Sequence, residues 1–472
     1  MRGKQGYLLE NTITKISLCG EFFCEKTIVI LQKKLALKVF LQMTFSICVI
    51  VITVVALLAS IVTDKRIKIG KKSIGLYCLI PPIGAILLLI GGRLSWDTLV
   101  SYFIEDSSVN PIKILLLFLS MTVFSIILDE AGFFTYVASC ALRKTSGSQN
   151  VLFFELFATV ALLTIFTSND VVILTVTPFV IAFCKKADCN PLPHLLLEFI
   201  TANTWSMLLI VGNPTNIYIA SAFQVTFWEY LMVMVLPTLA SGIVSVVMVY
   251  LLFSKSLAKP IKACEEASQL KDKPLALIAG LHLVLCVFLL AISNFLKIEM
   301  WIISVSLAVS LLICSLLYLV LVKKPLKPLV SGIKRLPYEI IPFVVGMFVI
   351  VLCVKVEGLS QKLYTFLQNF DSVFAYGIGT ALASNLINNI PASVLFSEIL
   401  ANGMSAGAIY ATTMGSNIGA YITPVGALAG IMWHNILSHN GIKFPFSRFC
   451  VYGMAVGVPT LLVGLIILNL VV

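Results

Sequence analysis

Apolar runs of about twenty residues recur along the whole chain, near 40–63, 74–92, 112–141, 229–253, 275–295, 299–322, 337–356 and 449–472. Each has the length of an α-helix crossing the hydrocarbon core of a bilayer. Four further apolar regions, 151–184, 195–222, 373–400 and 405–437, are broken in the middle by Asn, Asp, Gly or Pro. The pattern predicts an all-α polytopic membrane protein in which polar groups are confined to four breaks.

The breaks come in matched pairs. FTSND (166–170) is followed by VGNPTN (211–216), and LASNLINNIP (382–391) by MGSNIGAYITPVG (414–426). Each pair is preceded by three spanning segments and followed by one, which reads as an internal repeat. Repeat 1 is expected over 40–253 and repeat 2 over 275–472, joined by the polar linker 254–274 and preceded by an arm at 1–39. Backbone that leaves the helix at membrane depth is tolerated only inside protein or against a wet cavity. On that argument 151–184 and 373–400 are expected to be re-entrant hairpins with tips at Ser168-Asn169-Asp170 and Ser384-Asn385. Segments 195–222 and 405–437 are expected to be spanning helices, unwound at Gly212-Asn213-Pro214 and Gly415-Ser416-Asn417.

Five crossings per repeat is an odd number, so the second repeat is inverted relative to the first. Loops 64–72, 143–150, 185–194, 254–274, 323–336 and 438–448 then share one face and carry 21 of the 33 Lys+Arg. The positive-inside rule makes that face, linker included, cytoplasmic. The opposite loops hold five, and the remaining seven lie in residues 1–38, which this topology places outside. That conflict fits an arm that folds back or is foreign to the fold, with Met43 a plausible start. The arm has no signal-peptide pattern.

Composition agrees: 59% of the 472 residues are hydrophobic and 12% charged. The net charge of +11 sits in short loops, so it reports orientation and not a nucleic-acid face. The twelve cysteines are scattered, mostly inside apolar segments (Cys48, Cys78, Cys286, Cys314, Cys353), as small core hydrophobes. With four histidines and no CxxC or HExxH spacing, no metal site is expected. The chain also lacks a Walker sequence and any Ser/His/Asp grouping, so an enzyme is not expected.

SIILDEAGFFTYVASCALRK (125–144), FTSNDVVILTVTPFVIAF, FWEYLMVMVLP (227–237) and GSNIGAYITPVGALAGIMWHNILSHNGIKF (415–444) resemble the arsenical pump membrane subunit. That family lies within the ion transporter superfamily, with sodium/proton antiporters, divalent-anion/sodium symporters and citrate transporter-like permeases. The resemblance runs from about residue 40 to the C terminus. It implies a secondary carrier of two inverted repeats, each of five transmembrane helices, one unwound, plus one hairpin, meeting near the bilayer midplane. In the symporter branch, Ser-Asn-Thr tips coordinate sodium and carboxylates. Here the third residue is Asp170 at one tip and Leu386 at the other. GNPTN (212–216) replaces the usual proline-free Ser-Asn sequence, and Ser416-Asn417 replaces a Cys-Asp pair.

The candidate substrate and ion ligands are Ser168, Asn169, Asp170, Gly212, Asn213, Thr215, Asn216, Ser384, Asn385, Asn388, Asn389, Gly415, Ser416, Asn417 and Thr423. A mid-membrane carboxylate costs about 2.5–3.5 kcal/mol on insertion scales, so Asp170 needs a partner or a function. It fits coupling to a cation or proton, or contact with the substrate, a role compatible with the plainer one of capping the half-helix 171–184. The asparagines can replace a hydration shell without net charge, or satisfy broken backbone locally. Prolines 178, 214, 391 and 424 shape the breaks. Asp129-Glu130 reads as a second protonation site or an interfacial helix turn, Lys355 and Glu357 as outer-interface residues, and His434 as a buried hydrogen-bonded side chain.

The expected function is an ion-coupled permease of the arsenite and anion type working by alternating access. Sodium-coupled dicarboxylate or citrate-like uptake is the alternative, weakened by the absence of arginine from the site segments, and sodium/proton exchange is another. A channel or a membrane sensor is the reading from a different class. No cofactor is expected beyond Na+ or H+ as coupling ion. Partners are a small inorganic or organic anion, membrane lipid, a soluble ATPase implied by the resemblance, and a second copy in a homodimer. The location expected is the cytoplasmic (inner) membrane.

Overall fold

The computed structural model describes residues 24–63, 66–69, 72–106, 110–142, 147–262, 269–403 and 405–472. The chain is helical almost throughout. It opens with the long helix α1 (Cys24–Val62), which runs unbroken through residues 24–39 into the first apolar segment. That part of the expected arm is therefore continuous with the fold, and residues 1–23 lie outside the described residues. A short antiparallel ribbon, β1 (Arg66–Ile69) and β2 (Lys72–Gly75), follows in the first basic loop.

Next come α2 (Ile80–Ile90), α3 (Trp96–Ile104), α4 (Pro111–Glu130) and α5 (Phe133–Leu142). Two expectations need correction here. The segment 74–92 forms a 3-10 turn at Leu76–Cys78 running into the eleven-residue α2, and the whole stretch Leu76–Ile90 is too short for a bilayer core. The segment 112–141 is two helices, because Gly132 at φ 83 turns the chain between them. Only glycine adopts that conformation at little cost.

The first pair of breaks lies in α6 (Gln149–Phe166), α7 (Asn169–Ala187), α8 (Leu192–Trp205) and α9 (Pro214–Ala222). Then α10 (Phe227–Leu257) begins with a capping box between Thr226 and Glu229, which satisfies two backbone donors reciprocally. Across the linker the chain continues as α11 (Lys273–Ala291), the single turn α12 (Ser293–Leu296), α13 (Met300–Leu321), α14 (Lys327–Arg335), α15 (Ile340–Val356) and α16 (Leu359–Leu367). The second pair of breaks lies in α17 (Ser372–Ile387), α18 (Asn389–Leu400), α19 (Ala406–Gly419) and α20 (Leu428–His439), and α21 (Phe446–Val471) closes the chain. Seven helices among the described residues are long and apolar enough to cross a membrane, or eight if α15 and α16, bent by 76°, form one span.

Packing divides the molecule into a periphery and a centre. Helices α11 and α13 pack on each other and on α4, with their outward faces rich in exposed Leu, Ile and Val. In a membrane such faces meet lipid, so their exposure is no defect. Helix α10 lies along α21, each with an exposed apolar stripe of its own, and at the centre α17 lies along α19, which is buried from Gly407 to Gly419. The last contact is close because Gly415 and Gly419 on α19 face Gly377 and Ala381 on α17. A Cβ on Gly415 would sit 2.2 Å from the Gly377 carbonyl oxygen. Small residues four apart let two helix backbones touch.

The broken elements contact each other crosswise. Helix α9, from the first half, packs on α18 of the second half, and α20 packs back on α7.

Ion pairs fix both ends of the bundle. Arg93 Nε donates to Glu357 at 2.7 Å, with Ser46 Oγ donating to the same carboxylate at 2.9 Å. Lys355 pairs with Glu398 at 2.9 Å, and Lys113 with Asp106 and Glu299. On the basic face, Arg335 pairs with Asp129 at 2.6 Å and Glu130 at 2.8 Å. Asp129-Glu130 is thus a paired structural acid cluster, and Glu357 is the buried half of an ion pair.

Candidate functional site

Each break exposes the N-terminus of a short helix, whose first N–H groups have no partner within the helix. The four breaks differ in how they are closed. Asn213 caps α9, accepting from the Thr215 N–H at 3.2 Å, and Asn388 caps α18, accepting from the Ile390 N–H at 3.4 Å. At α7 the capping position is Ser168, whose side chain makes no capping bond, and at α20 it is Ala427, which has none to make. The two uncapped helices are the pair that pack together.

The structure moves two of the expected breaks. Ser384 and Asn385 lie inside α17, and the turn of the second hairpin is at Asn388, with φ 76 and ψ 155. Gly415, Ser416 and Asn417 lie inside α19, and the chain leaves the helix only at 420–427, around Thr423 and Pro424. The physical reasons are distinct. Gly415 serves close helix packing rather than unwinding. Pro391 lacks an N–H and fits only the first turn of a helix, so α18 must restart just before it. In the first half, the hairpin turns at Thr167-Ser168, and the broken helix is open from 206 to 213 with one tight turn at Ile210–Gly212.

Three clusters collect the candidate residues. The centre is an amide lattice that ties the two halves of the chain. Asn417 Nδ2 donates to Asn216 Oδ1 at 2.7 Å, while Asn417 Oδ1 accepts from Asn213 Nδ2 at 2.8 Å and from Ser206 Oγ at 2.9 Å. Ser416 Oγ donates to Thr215 Oγ1 at 3.1 Å, and Asn216 Nδ2 to the Ser206 and Leu209 carbonyls at 2.8 and 3.1 Å. Gly212 lets this loop fold tightly, since a Cβ there would lie 2.2 Å from the Ser206 carbonyl oxygen. These groups are satisfied by one another, so the lattice is a rigid hub with little spare hydrogen-bonding capacity.

The second cluster, at the second hairpin, knits the tip to the break that follows. Asn385 Nδ2 donates to the Ala381 and Gly419 carbonyls at 2.7 and 3.0 Å, Asn388 Nδ2 to Val425 at 3.2 Å, and the Asn389 N–H to Gly426 at 3.0 Å. Ser384 Oγ donates to its own helix at Thr380. Asn385 Oδ1 and Thr423 Oγ1 are buried without a protein partner.

The third cluster opens to a cavity. Asn169 Nδ2 donates to Asn203 Oδ1 at 3.1 Å, but Asn169 Oδ1 and Ser168 Oγ are buried without a protein partner. Ser168 and Asp170 line a cavity of about 530 Å³ walled by Phe118, Thr122, Leu174, Ile431 and Asn435, which opens beside Lys334 and Arg335. Of the two orphaned oxygens only that of Ser168 belongs to a residue lining the cavity, and an orphaned oxygen there gives a bound ion or solute a ligand at no cost in displaced protein bonds.

Sequence reasoning missed three groups. Arg335 stands at the cavity's mouth, although the break segments themselves carry no arginine. Glu198 on α8 is fully buried, and Thr177 Oγ1 on α7 lies 2.9 and 3.0 Å from its two carboxylate oxygens. The signal existed, since an acid inside an apolar run singled out Asp170 and applies equally to LLLEFI. Cys184, Cys189 and His194 also converge at the joint between α7 and α8. His434 is hydrogen-bonded as expected, with Nε2 bonded to the Phe444 carbonyl at 2.9 Å, but it is only half-buried.

Comparison with known proteins places this chain in a family. Residues 28–412 match the citrate transporter family. The chain is 29% identical over 371 residues to the arsenical pump membrane protein of Escherichia coli, covering 75% of this chain and 85% of that protein. It is 25% identical over 399 residues to the putative arsenical pump membrane protein of Bacillus subtilis, covering 78% and 88%. Among solved structures, the YdaH transporter of Alcanivorax borkumensis superposes with a TM-score of 0.53 at 14% identity, covering 91% of this chain and 98% of that one. At that identity the likeness shows the fold alone. An integral membrane protein of helical hairpins and broken helices, matched over most of its length, this chain belongs to the citrate transporter family of membrane transporters.

Proposed function

We propose that the chain is a cation-coupled secondary carrier for a small oxyanion, arsenite-like in size, working by alternating access. One observation supports this most. Asp170 stands in the first turn of an uncapped helix, at the wall of the 530 Å³ cavity, with no cation of the protein within salt-bridge distance among the described residues.

A helix N-terminus attracts anions, through its open N–H groups and dipole. A carboxylate in that first turn uses up this attraction and repels a second anion. A proton or sodium ion on Asp170 removes the repulsion and leaves Ser168 Oγ, Asn169 Oδ1 and the α7 N–H groups to the solute. Binding of cation and anion is then mutually favourable, which is what coupling requires. The basic loop beside the cavity mouth makes this opening the cytoplasmic one.

Dicarboxylate or citrate uptake is the second reading, favoured by Arg335 at the cavity mouth. Its guanidinium is already held by Asp129 and Glu130, so clamping a substrate carboxylate would require breaking two ion pairs. The small oxyanion needs no such rearrangement. The names of the relatives favour it too, and they make a soluble ATPase a partner to test by co-purification.

The experiment is uptake into proteoliposomes of arsenite, antimonite, citrate and succinate, with imposed proton or sodium gradients. Gradient-dependent movement of arsenite or antimonite is the expected result. Movement of citrate or succinate alone would replace the first reading by the second, and movement of none by folded protein would overturn both.

A further inference from the structure

The joint between α7 and α8 carries a constellation that the transport reading does not use. Helix α7 ends in a left-handed turn, with Asp188 at φ 57 and ψ 45, and the Cys189 N–H bonds back to the Cys184 carbonyl at 3.0 Å. This six-to-one closure brings the side chains of its two end residues together, usually as an apolar contact. Here both are cysteines. Pro191 and Pro193 then start α8 at once, so that His194 in its first turn points back at the same spot. Cys184 Sγ, Cys189 Sγ and a ring nitrogen of His194 all lie within 4.8 Å of one another.

A second observation distinguishes this from chance packing. His194 is fully buried, and among the described residues neither of its ring nitrogens finds a hydrogen-bond partner outside this cluster. An imidazole held in that way is costly unless something satisfies it. Cys184 is buried and Cys189 half-buried, so the site is walled on the protein side and open on the loop side.

We infer that Cys184, Cys189 and His194 bind one thiophilic divalent cation, with Zn2+ the ion that fits the donors best. Two thiolates and one imidazole suit a borderline-soft metal, and a hard ion such as Mg2+ or Ca2+ would need oxygen ligands that are not here. The nearby Asp188 is exposed and paired with Lys262 at 3.0 Å. Tetrahedral Zn–S and Zn–N bonds set ligand atoms about 3.5–3.8 Å apart, so small side-chain rotations close the set. Binding forms two Zn–S bonds and one Zn–N bond and releases the two thiol protons to solvent. Three protein ligands leave a fourth position facing the loop side. The ion would fasten the end of the first hairpin to the start of the first broken helix.

The test uses full-length protein purified in detergent, stripped with a chelator and dialysed against Zn2+, with bound metal measured by mass spectrometry. Co2+ serves as an optical probe through its thiolate charge-transfer band. The expected result is one equivalent of Zn2+ and a Co2+ band. Cys189→Ser and His194→Asn should weaken binding by at least about tenfold, while Cys140→Ser and Cys450→Ser leave it unchanged. Zn2+ should also slow alkylation of Cys189 in the unsubstituted protein, a readout that does not depend on any variant folding. Equal binding and an equal band in Cys184→Ser/Cys189→Ser, or no Zn2+ retained by the unsubstituted protein, would overturn the inference. None of these outcomes depends on the transported substrate.

Discussion

Asn417 and Asn216 share a 2.7 Å hydrogen bond across 201 positions of sequence, and Asn213, just before Asn216 in the chain, donates to the same Asn417 side chain. One amide therefore closes both its donor and its acceptor on the opposite half of the chain. Asn417→Ala should orphan partners on both sides at about 1–3 kcal/mol each, read as a lowered unfolding temperature in detergent. Because the groups form one network, Asn417→Ala and Asn213→Ala should be strongly non-additive. Additive effects in the double mutant would show the amides to be independent.

Asp170→Asn keeps the size of the side chain and removes the charge it can gain or lose. Folded yield should be unchanged, and transport should lose its response to the imposed cation gradient. Glu198→Gln is the matched control, since Glu198 lies sealed against Thr177 and does not line the cavity. Uptake by Asp170→Asn that still follows the gradient as the unsubstituted protein does would exclude Asp170 from coupling.

Gly415→Ala should destabilise by about 1–3 kcal/mol or more, because the added methyl meets backbone rather than a yielding side chain. Gly280→Ala on α11 has nothing within 4 Å of the new methyl, and should stabilise its helix by up to about 1 kcal/mol. Thermal unfolding of the pair separates a glycine kept for contact from one that is not.

Asp272 caps α11 through the Leu275 N–H and accepts from Lys324 at 2.7 Å and Tyr318 at 2.8 Å. Partial burial alone would raise its carboxyl, but those hydrogen bonds outweigh it and hold the group below the usual carboxylate range. The sign follows: with a folded value below the unfolded one, the contribution is present above the unfolded value of about 3.9 and lost as pH falls through the folded one. Asp272→Asn keeps the cap and loses the ion pair. Its melting temperature should fall below that of the unsubstituted protein near neutral pH, and the gap should close in the acid range. A gap that persists in acid would assign the effect to the cap.

The apolar pattern located most of the helices and all four interrupted regions, because hydrophobic period and length leave few alternatives in a bilayer. It did not locate the break points in the second half. In LASNLINNIP the first Ser-Asn reads as the tip, yet Ser384 and Asn385 bond to carbonyls of the preceding turn and stay helical, and the chain turns at Asn388. Proline was the better guide: Pro214, Pro391 and Pro424 each lie at or beside an actual break. Gly415 misled because a glycine kept for contact and a glycine kept for flexibility are the same letter. The cavity, Arg335 at its mouth and the meeting of Cys184, Cys189 and His194 depend on tertiary proximity, and only the last, compressed into eleven residues, could have been seen by spacing alone. Leu386 is also not the counterpart of Asp170 that the pairing of the two Ser-Asn sequences implies. Leu386 is on an exposed helix face, and the residues at the second turn are Asn388 and Asn389.

The amide lattice also bears on how the chain is made. Asn213 and Asn216 emerge from the ribosome about 200 residues before Asn417, a lag of about 10–40 s at 5–20 residues per second. For that interval the first half stands in the membrane with its polar break unmatched, an unfinished intermediate that the insertion machinery must shelter from lipid and from proteases.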